Sequence, residues 1–177
     1  MFINHWSVSL SSRSTAHILA KRSLSIHFSI DNDSTIYQLL DCQDIAYHAG
    51  NHNAVSVGVE LENAYALKYQ QWYQRRGFGE RPVWEGIECH GKKLKPFLGF
   101  YAGQLRALAA LWEAVSRACS IPLAIPKTLG TVDPECQAKT FEGFACHYNL
   151  TERKIDPIGI PMGLVLADAL AIRRRYH

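Results

Sequence analysis

The sequence predicts a single α/β domain, a central mixed β-sheet flanked by α-helices. Three observations carry this. Short runs with period-two alternation recur in the first third of the chain. Helical segments interleave with them, and one later stretch repeats apolar residues at i, i+3 and i+4. A length of 177 residues suits one domain with a sizeable core rather than two. From the residues alone both α/β and α+β are open, because strands and helices are mixed along the chain.

The elements follow in order. "FINHW" at the start is short, apolar and strand-like. "STAHILAKRS" reads as a helix over about 14–23, with Ser14 as N-cap and Ile18 and Leu19 on one face. "LSIHFSID" alternates Leu24, Ile26 and Phe28 with smaller or polar residues. "NDS" then turns the chain into the β-branched, apolar "TIYQLL", a hairpin pattern. "AVSVGVELEN" (54–63) is a third strand, alternating Val55, Val57, Val59 and Leu61. The segment 64–98 differs. It is dense in aromatics, Lys and Arg, is broken by Gly and Pro, and reads as a long loop or insertion with one short helix.

Beyond it, Leu105, Leu108, Leu111, Trp112 and Val115 define an amphipathic helix over 101–119. Residues 127–140 are polar and loop-like. "FEGFACHYNL" is a short apolar segment that runs into the turn-rich "TERKIDPIG". "PMGLVLADALAIRRRYH" closes the chain as a helix, with Arg173, Arg174 and Arg175 where cations suit the dipole.

Composition narrows the class. With 47% hydrophobic and 20% charged residues the chain is ordinary for a globular protein. No apolar run approaches the ~20 residues of a membrane span, so no membrane partner is expected. The N-terminus lacks the basic-then-apolar layout of a signal peptide, so the expected location is cytoplasmic, or a release that needs no signal. Five scattered cysteines, with no C-x-x-C pair, argue against a disulfide framework and a zinc ribbon. A net charge of +3 is compatible with an anionic surface or polymer without requiring one.

Histidines carry the chemistry. There are eight, at positions 5, 17, 27, 48, 52, 90, 147 and 177. His5 and His147 stand at strand ends, and Asp156 follows His147 through a loop. A catalytic zinc takes three protein ligands and keeps one position open, and two His with one carboxylate suit that. Glu60 and Glu62 share the strand face opposite the valines. By pattern alone Glu60 fits either a solvated face or a general base. Lys154 fits either a surface lysine or a cation for an oxyanion.

At these residues the chain resembles the type 2 N-acetylmuramoyl-L-alanine amidases, zinc amidases that share their fold with peptidoglycan-recognition proteins. "INHWSVS" resembles the family's first strand, whose histidine binds zinc. "LSIHFSIDNDSTIYQLL" resembles its S-x-H-x-x-I-x-x-D-G-x-I-x-Q hairpin, with Ser34 in place of the glycine. "IAYHAGNHNAVSVGVELEN" resembles its A-W-H-A-G … S-I-G-I-E-L run. "CHYNLTERKIDPIG" resembles its G-H-x-D-I-x-P-x-R-K-x-D-P-G, one residue shorter, with Cys146 for the glycine and Asn149 for the acid. The likeness leaves out about 64–98 and 127–140.

The resemblance implies Zn2+ held by His5, His147 and Asp156, with His27 the nearest alternative should His5 not serve. It implies Glu60 and Lys154 as catalytic residues. The implied reaction is hydrolysis of the amide between N-acetylmuramic acid and L-alanine, in peptidoglycan or in soluble muropeptides. A non-catalytic peptidoglycan-binding protein of the same fold is the alternative; retention of all three ligands with Glu60 and Lys154 favours the enzyme. His48, Arg153 and Trp72 are the expected substrate contacts. The 64–98 insertion offers either a groove wall for sugars and carboxylates or an aromatic-cored excursion packed on the sheet. Cytoplasmic recycling and a lysin role both fit, nucleic acid is not an expected partner, and the oligomeric state is left open.

Overall fold

A computed structural model of the chain describes residues 1–175, so His177 lies outside the described residues. The chain runs β1 (Phe2–Ser7), α1 (Ser12–Lys21), β2 (Phe28–Ile30), β3 (Ile36–Gln38) and β4 (Val57–Glu62). There follow α2 (Gln70–Arg75), β5 (Val83–Trp84), β6 (Glu88–Cys89), β7 (Lys92–Lys93) and β8 (Phe97–Leu98). It ends with α3 (Ala102–Ala118), α4 (Pro134–Gln137), β9 (Phe144–Cys146) and α5 (Met162–Arg175).

Five strands form one mixed sheet in the order β3-β2-β4-β1-β9. β1 pairs in parallel with both β4 and β9, β4 in parallel with β2, and β2–β3 is the antiparallel hairpin. All six residues of β1 are buried, as expected for a central strand covered on both faces. Phe2, Trp6, Val57, Val59 and Leu61 join Leu108, Trp112, Val115, Met162 and Val165 in the main core, beneath α3 and α5. Ile3, His5, Gly58, Glu60 and Glu62 alternate to the other face.

Asn4 is the polar member of the packed face. Its Nδ2 donates to the Ala145 carbonyl at 2.7 Å, and its Oδ1 accepts from Trp112 Nε1 at 3.0 Å. One fully buried side chain thus ties β1 to β9 and α3, and satisfies an indole that the core otherwise strands.

Several sequence expectations shift. α1 begins at Ser12 with Ser11, not Ser14, as its N-cap; the Ser11 hydroxyl accepts from the Ser14 N–H. The helix turns Ser12 and Thr15 inward, while Ile18 is exposed. The cause is Glu62. This buried carboxyl accepts hydrogen bonds from Ser7 Oγ, Thr15 Oγ1 and Ser29 Oγ, and Ser12 Oγ bonds to Ser29 Oγ. A buried carboxyl without partners is far more costly than an exposed Ile.

The third strand starts at Val57 rather than 54, because residues 50–55 form a 3-10 turn. Asn53 Oδ1 accepts from the His48 and Ala49 amides there, and Val55 faces solvent. The 127–140 loop contains the short α4, capped by Asp133. Ser34 takes the left-handed φ of 74° that the hairpin turn requires.

The 64–98 segment folds as α2 and two short ladders, β5 with β8 and β6 with β7. It is packed rather than open. Tyr73, Phe97 and Leu98 are buried, and Tyr65 stacks on Trp6 with ring centroids 5.2 Å apart. Arg81, one of the segment's cations, is 2% exposed. It donates to the carbonyls of Gly99 and Glu62 at 2.8 Å and to Asn32 Oδ1, sandwiched by the Tyr73 and Tyr101 rings. The segment is thereby pinned to the end of β4.

Two stability outcomes are expected. Asn4→Leu strands the Trp112 N–H and the Ala145 carbonyl, and should cost about 1–3 kcal/mol in urea unfolding. No change would dismiss that link. Burial outweighs the hydroxyl bonds on Glu62 and pushes its carboxyl up to about 7. A raised folded-state pKa stabilises fully below the unfolded value near ~4.3, and that contribution is lost as pH rises through about 7. Melting scans should show wild type losing Tm relative to Glu62→Gln between about pH 5 and about pH 8. A gap independent of pH would refute the assignment.

Candidate active site

Parallel register builds the site. His5 lies opposite Glu60 on β4, and Asn4 lies opposite Cys146, the last residue of β9. The next residue after β9 is His147, so it emerges beside His5. Asp156 is drawn to the same point because the Tyr148 N–H donates to the Asp156 carbonyl at 3.0 Å. This bond, with Lys154 N–H to the Thr151 carbonyl, closes the shortened loop. Asn149 braces it: its side chain accepts from the Cys146 amide and donates to the Thr128 and Thr131 carbonyls.

The result is a compact trio. His5 Nδ1 is 2.9 Å from His147 Nδ1 and 3.3 Å from Asp156 Oδ2, and His147 Nδ1 is 3.0 Å from Asp156 Oδ2. One donor atom from each of the three lies within 4.8 Å of the others, a group able to hold a metal ion.

Hydrogen bonding dictates the tautomer of His5. The Ser56 hydroxyl gives its proton to the His52 carbonyl at 2.7 Å, so toward His48 Nε2, at 3.3 Å, its oxygen acts as acceptor. His48 Nδ1 is then the acceptor for His5 Nε2–H, at 2.9 Å. That leaves the His5 Nδ1 lone pair directed at His147 and Asp156. Two imidazole nitrogens and a carboxylate oxygen turned to one point are the donor set that zinc takes, and an outer partner on the far ring nitrogen is its usual companion. The residues therefore fit the metal.

Gly58 makes this approach possible. A Cβ on Gly58 would lie 2.5 Å from His48 Cε1 and 2.7 Å from Ile26 Cδ1. Burial, then the neighbouring His147, hold the His5 imidazole down to about 4 against the pull of Asp156, so the ring is neutral near pH 7. Burial opposes ionisation of Asp156, but the imidazoles of His147 and His5 outweigh it and hold its carboxyl below the usual range. Asp156 is the anion of the trio.

A cavity of about 250 Å³ opens over this trio, lined by His5, His48, Glu60, His147, Lys154 and Asp156. Glu60 Oε2 is buried without a hydrogen-bond partner. Burial first, then Asp156 and Glu62, push its carboxyl well above the ordinary range, and Lys154 opposes them. An unpartnered carboxyl beside such a trio is a group free to exchange a proton with a ligand. Val8, Ile18, Leu19 and Leu24 supply apolar lining, with Arg22 beside them.

Of the expected residues, the trio, Glu60, Lys154 and His48 meet in this cavity. Arg153 lies in an adjoining cleft that shares Tyr47, His48, His147 and Lys154 with it. Trp72 stands apart, against Phe78 and Tyr73 in the small cluster of the 64–98 segment. His27 is not a free alternative ligand: its Nδ1 accepts from the Gly58 N–H and its Nε2 donates to the Asp44 carbonyl, both at 3.0 Å. Cys146 points away from the site, 3.4 Å from Met162 Sδ in the core, and burial pushes its thiol up. Its thiol is therefore held in the core, away from the trio. His48 and Ser56 as supports of His5 were legible only as part of a motif, and Gly58 only as a small residue in a strand.

Comparison with known proteins bears on the fold and the family. No curated protein matches the chain. Among solved structures it is similar to the Ph2119 endolysin from Thermus scotoductus MAT2119 bacteriophage Ph2119, at 15% identity and a TM-score of 0.55, over 96% of this chain and 83% of that one. It is similar to AmpDh3 from Pseudomonas aeruginosa in complex with anhydromuramic pentapeptide, at 19% identity and 0.59, over 99% of this chain and 64% of that one. It is also similar to the hydrolase AmiA of Staphylococcus aureus in complex with its ligand, at 8% identity and 0.61, over 98% and 73%. At such identities these likenesses establish the fold. A family model described as N-acetylmuramoyl-L-alanine amidase matches residues 1–158, nearly the whole chain and every residue of the trio, and the chain belongs to that family.

Proposed function

We propose that the chain is a zinc-dependent N-acetylmuramoyl-L-alanine amidase. It cleaves the amide between the lactyl group of N-acetylmuramic acid and the L-alanine of the stem peptide. The observation that carries this is the meeting of His5, His147 and Asp156 with Glu60 and Lys154 in one cavity. The complex of AmpDh3 with an anhydromuramic pentapeptide supports muropeptides as the ligand class.

His5, His147 and Asp156 would hold the metal. Zinc, when bound, supplies Lewis acidity, polarising the scissile carbonyl and lowering the pKa of water toward neutrality. Glu60 takes the proton from the attacking water as the O–C bond forms. It returns that proton to the amide nitrogen as the C–N bond breaks, so the amine leaves neutral. The Lys154 ammonium faces the same cavity and meets the negative charge that develops on the carbonyl oxygen. His48 keeps His5 Nε2–H occupied, which preserves the Nδ1 lone pair. Arg153, in the adjoining cleft, offers a cation to a stem-peptide carboxylate.

Metal analysis of the purified protein, with mass spectrometry of products from polymeric peptidoglycan and from a soluble muropeptide, tests this. Zinc near one per chain and a released stem peptide are expected, and the substrate consumed faster names the class. Absence of both zinc and product would sink the reading. Glu60→Gln should lower kcat by about 10²–10⁴ with zinc retained. His147→Ala should lose zinc and activity together; a variant that keeps zinc would refute that ligand. Lys154→Ala should lower kcat by about 10²–10³ without metal loss. An unchanged kcat would remove Lys154 from the reaction.

A further inference from the structure

His90 lies in the turn between β6 and β7, inside the packed 64–98 segment and far in sequence from the trio. Its φ of 52° is left-handed, a conformation His tolerates better than most residues. Its ring bridges two other segments. Nε2 lies 2.7 Å from the Lys154 carbonyl, and Nδ1 lies 3.1 Å from Thr131 Oγ1. A carbonyl only accepts, so Nε2 carries the proton and Nδ1 accepts from the Thr131 hydroxyl. The His90 amide donates to the Gly130 carbonyl at 2.8 Å. Both ring nitrogens and the amide of His90 are therefore used.

Lys154 and Asp156 sit on one short loop whose internal bonds are few. The same segment touches that loop a second time. The Trp84 ring lies over Gly159, where a Cβ would come within 2.2 Å of Trp84 Cζ3. A tip and an indole from one excursion thus hold the loop at both ends.

We propose that His90 is a positioning residue for the amidase reaction. By fixing the Lys154 carbonyl against Thr131, it sets where the Lys154 ammonium and the Asp156 carboxylate stand. The 64–98 segment is then a working part of the active site, although its aromatics do not line the cavity beside the trio. This rests on the amidase reading above.

The test compares His90→Gly, which removes the ring without straining the left-handed backbone, with His90→Gln, which keeps a donor for the Lys154 carbonyl. Steady-state kinetics on a muropeptide, zinc competition with a chelator, and amide hydrogen exchange across 151–158 are measured on the full chain. His90→Gly should lower kcat or zinc affinity about 10–100-fold, leave KM within about threefold, and speed exchange at Lys154 and Ile158. His90→Gln should recover a large part of each. Should His90→Gly not fold, Thr131→Val, which removes the hydroxyl behind the ring, should shift the same readouts in the same direction. A folded His90→Gly with unchanged kcat, zinc affinity and exchange would overturn the proposal. An inert wild type would instead overturn the amidase reading, while exchange and zinc affinity would still decide whether His90 clamps the loop.

Discussion

The two-sided parallel pairing of β1 is the constraint on which the molecule depends. β1 lies between β4 and β9, in register with each. One face of the strand drives Phe2 and Trp6 into the core beneath α3 and α5. The other brings His5 level with Glu60 on one side and with the exit of β9 on the other. Side chains alternate strictly along a strand, so a slip of one residue would send His5 into the apolar core and Asn4 into the cavity. Core packing and site assembly are therefore the same event. Asn4, bonded to Ala145 and Trp112 on the opposite face from His5, pins that register with polar geometry that a purely apolar residue lacks.

Around this strand the polar groups are organised in layers. His48 and Ser56 settle the His5 tautomer, and Gly58 gives His48 room to reach it. Glu62, one strand repeat from Glu60, is surrounded by hydroxyls and by α1, whereas Glu60, which lines the cavity, keeps a buried oxygen without a partner. Two carboxyls on one strand face thus have opposite fates: one is satisfied and structural, the other unpartnered and available. Their closeness also matters, since Glu62 disfavours ionisation of Glu60. In the proposed reaction the metal's charge and Lys154 would return Glu60 to its basic form.

Much of this was legible in the residues. The hairpin, the alternating β4, the amphipathic α3 and the His147–Asp156 loop all follow local rules that operate within a few residues. The motif likeness joined His5, Glu60, His147, Lys154 and Asp156 into one expected set. Misreadings came where a distant partner overrode a local preference. α1 shows Ile18 to the cavity because Glu62 needs Thr15. Val55 leaves the strand because Asn53 caps the His48 turn. Arg81 is buried because three oxygen atoms and two tyrosine rings await it at the end of β4.

By itself, then, the sequence determined the element types, the apolar faces and the residue kinds that a metal and a proton-transfer step require, because these depend on periodicity and side-chain chemistry. Tertiary structure alone decided the rest. It brought positions 5, 60, 147 and 156 within reach of each other, aimed the His5 lone pair, turned Cys146 away, and laid His90 across the Lys154 carbonyl. Those outcomes depend on strand register and on hydrogen bonds between residues many tens of positions apart. No local pattern in a single chain encodes a partner at that distance.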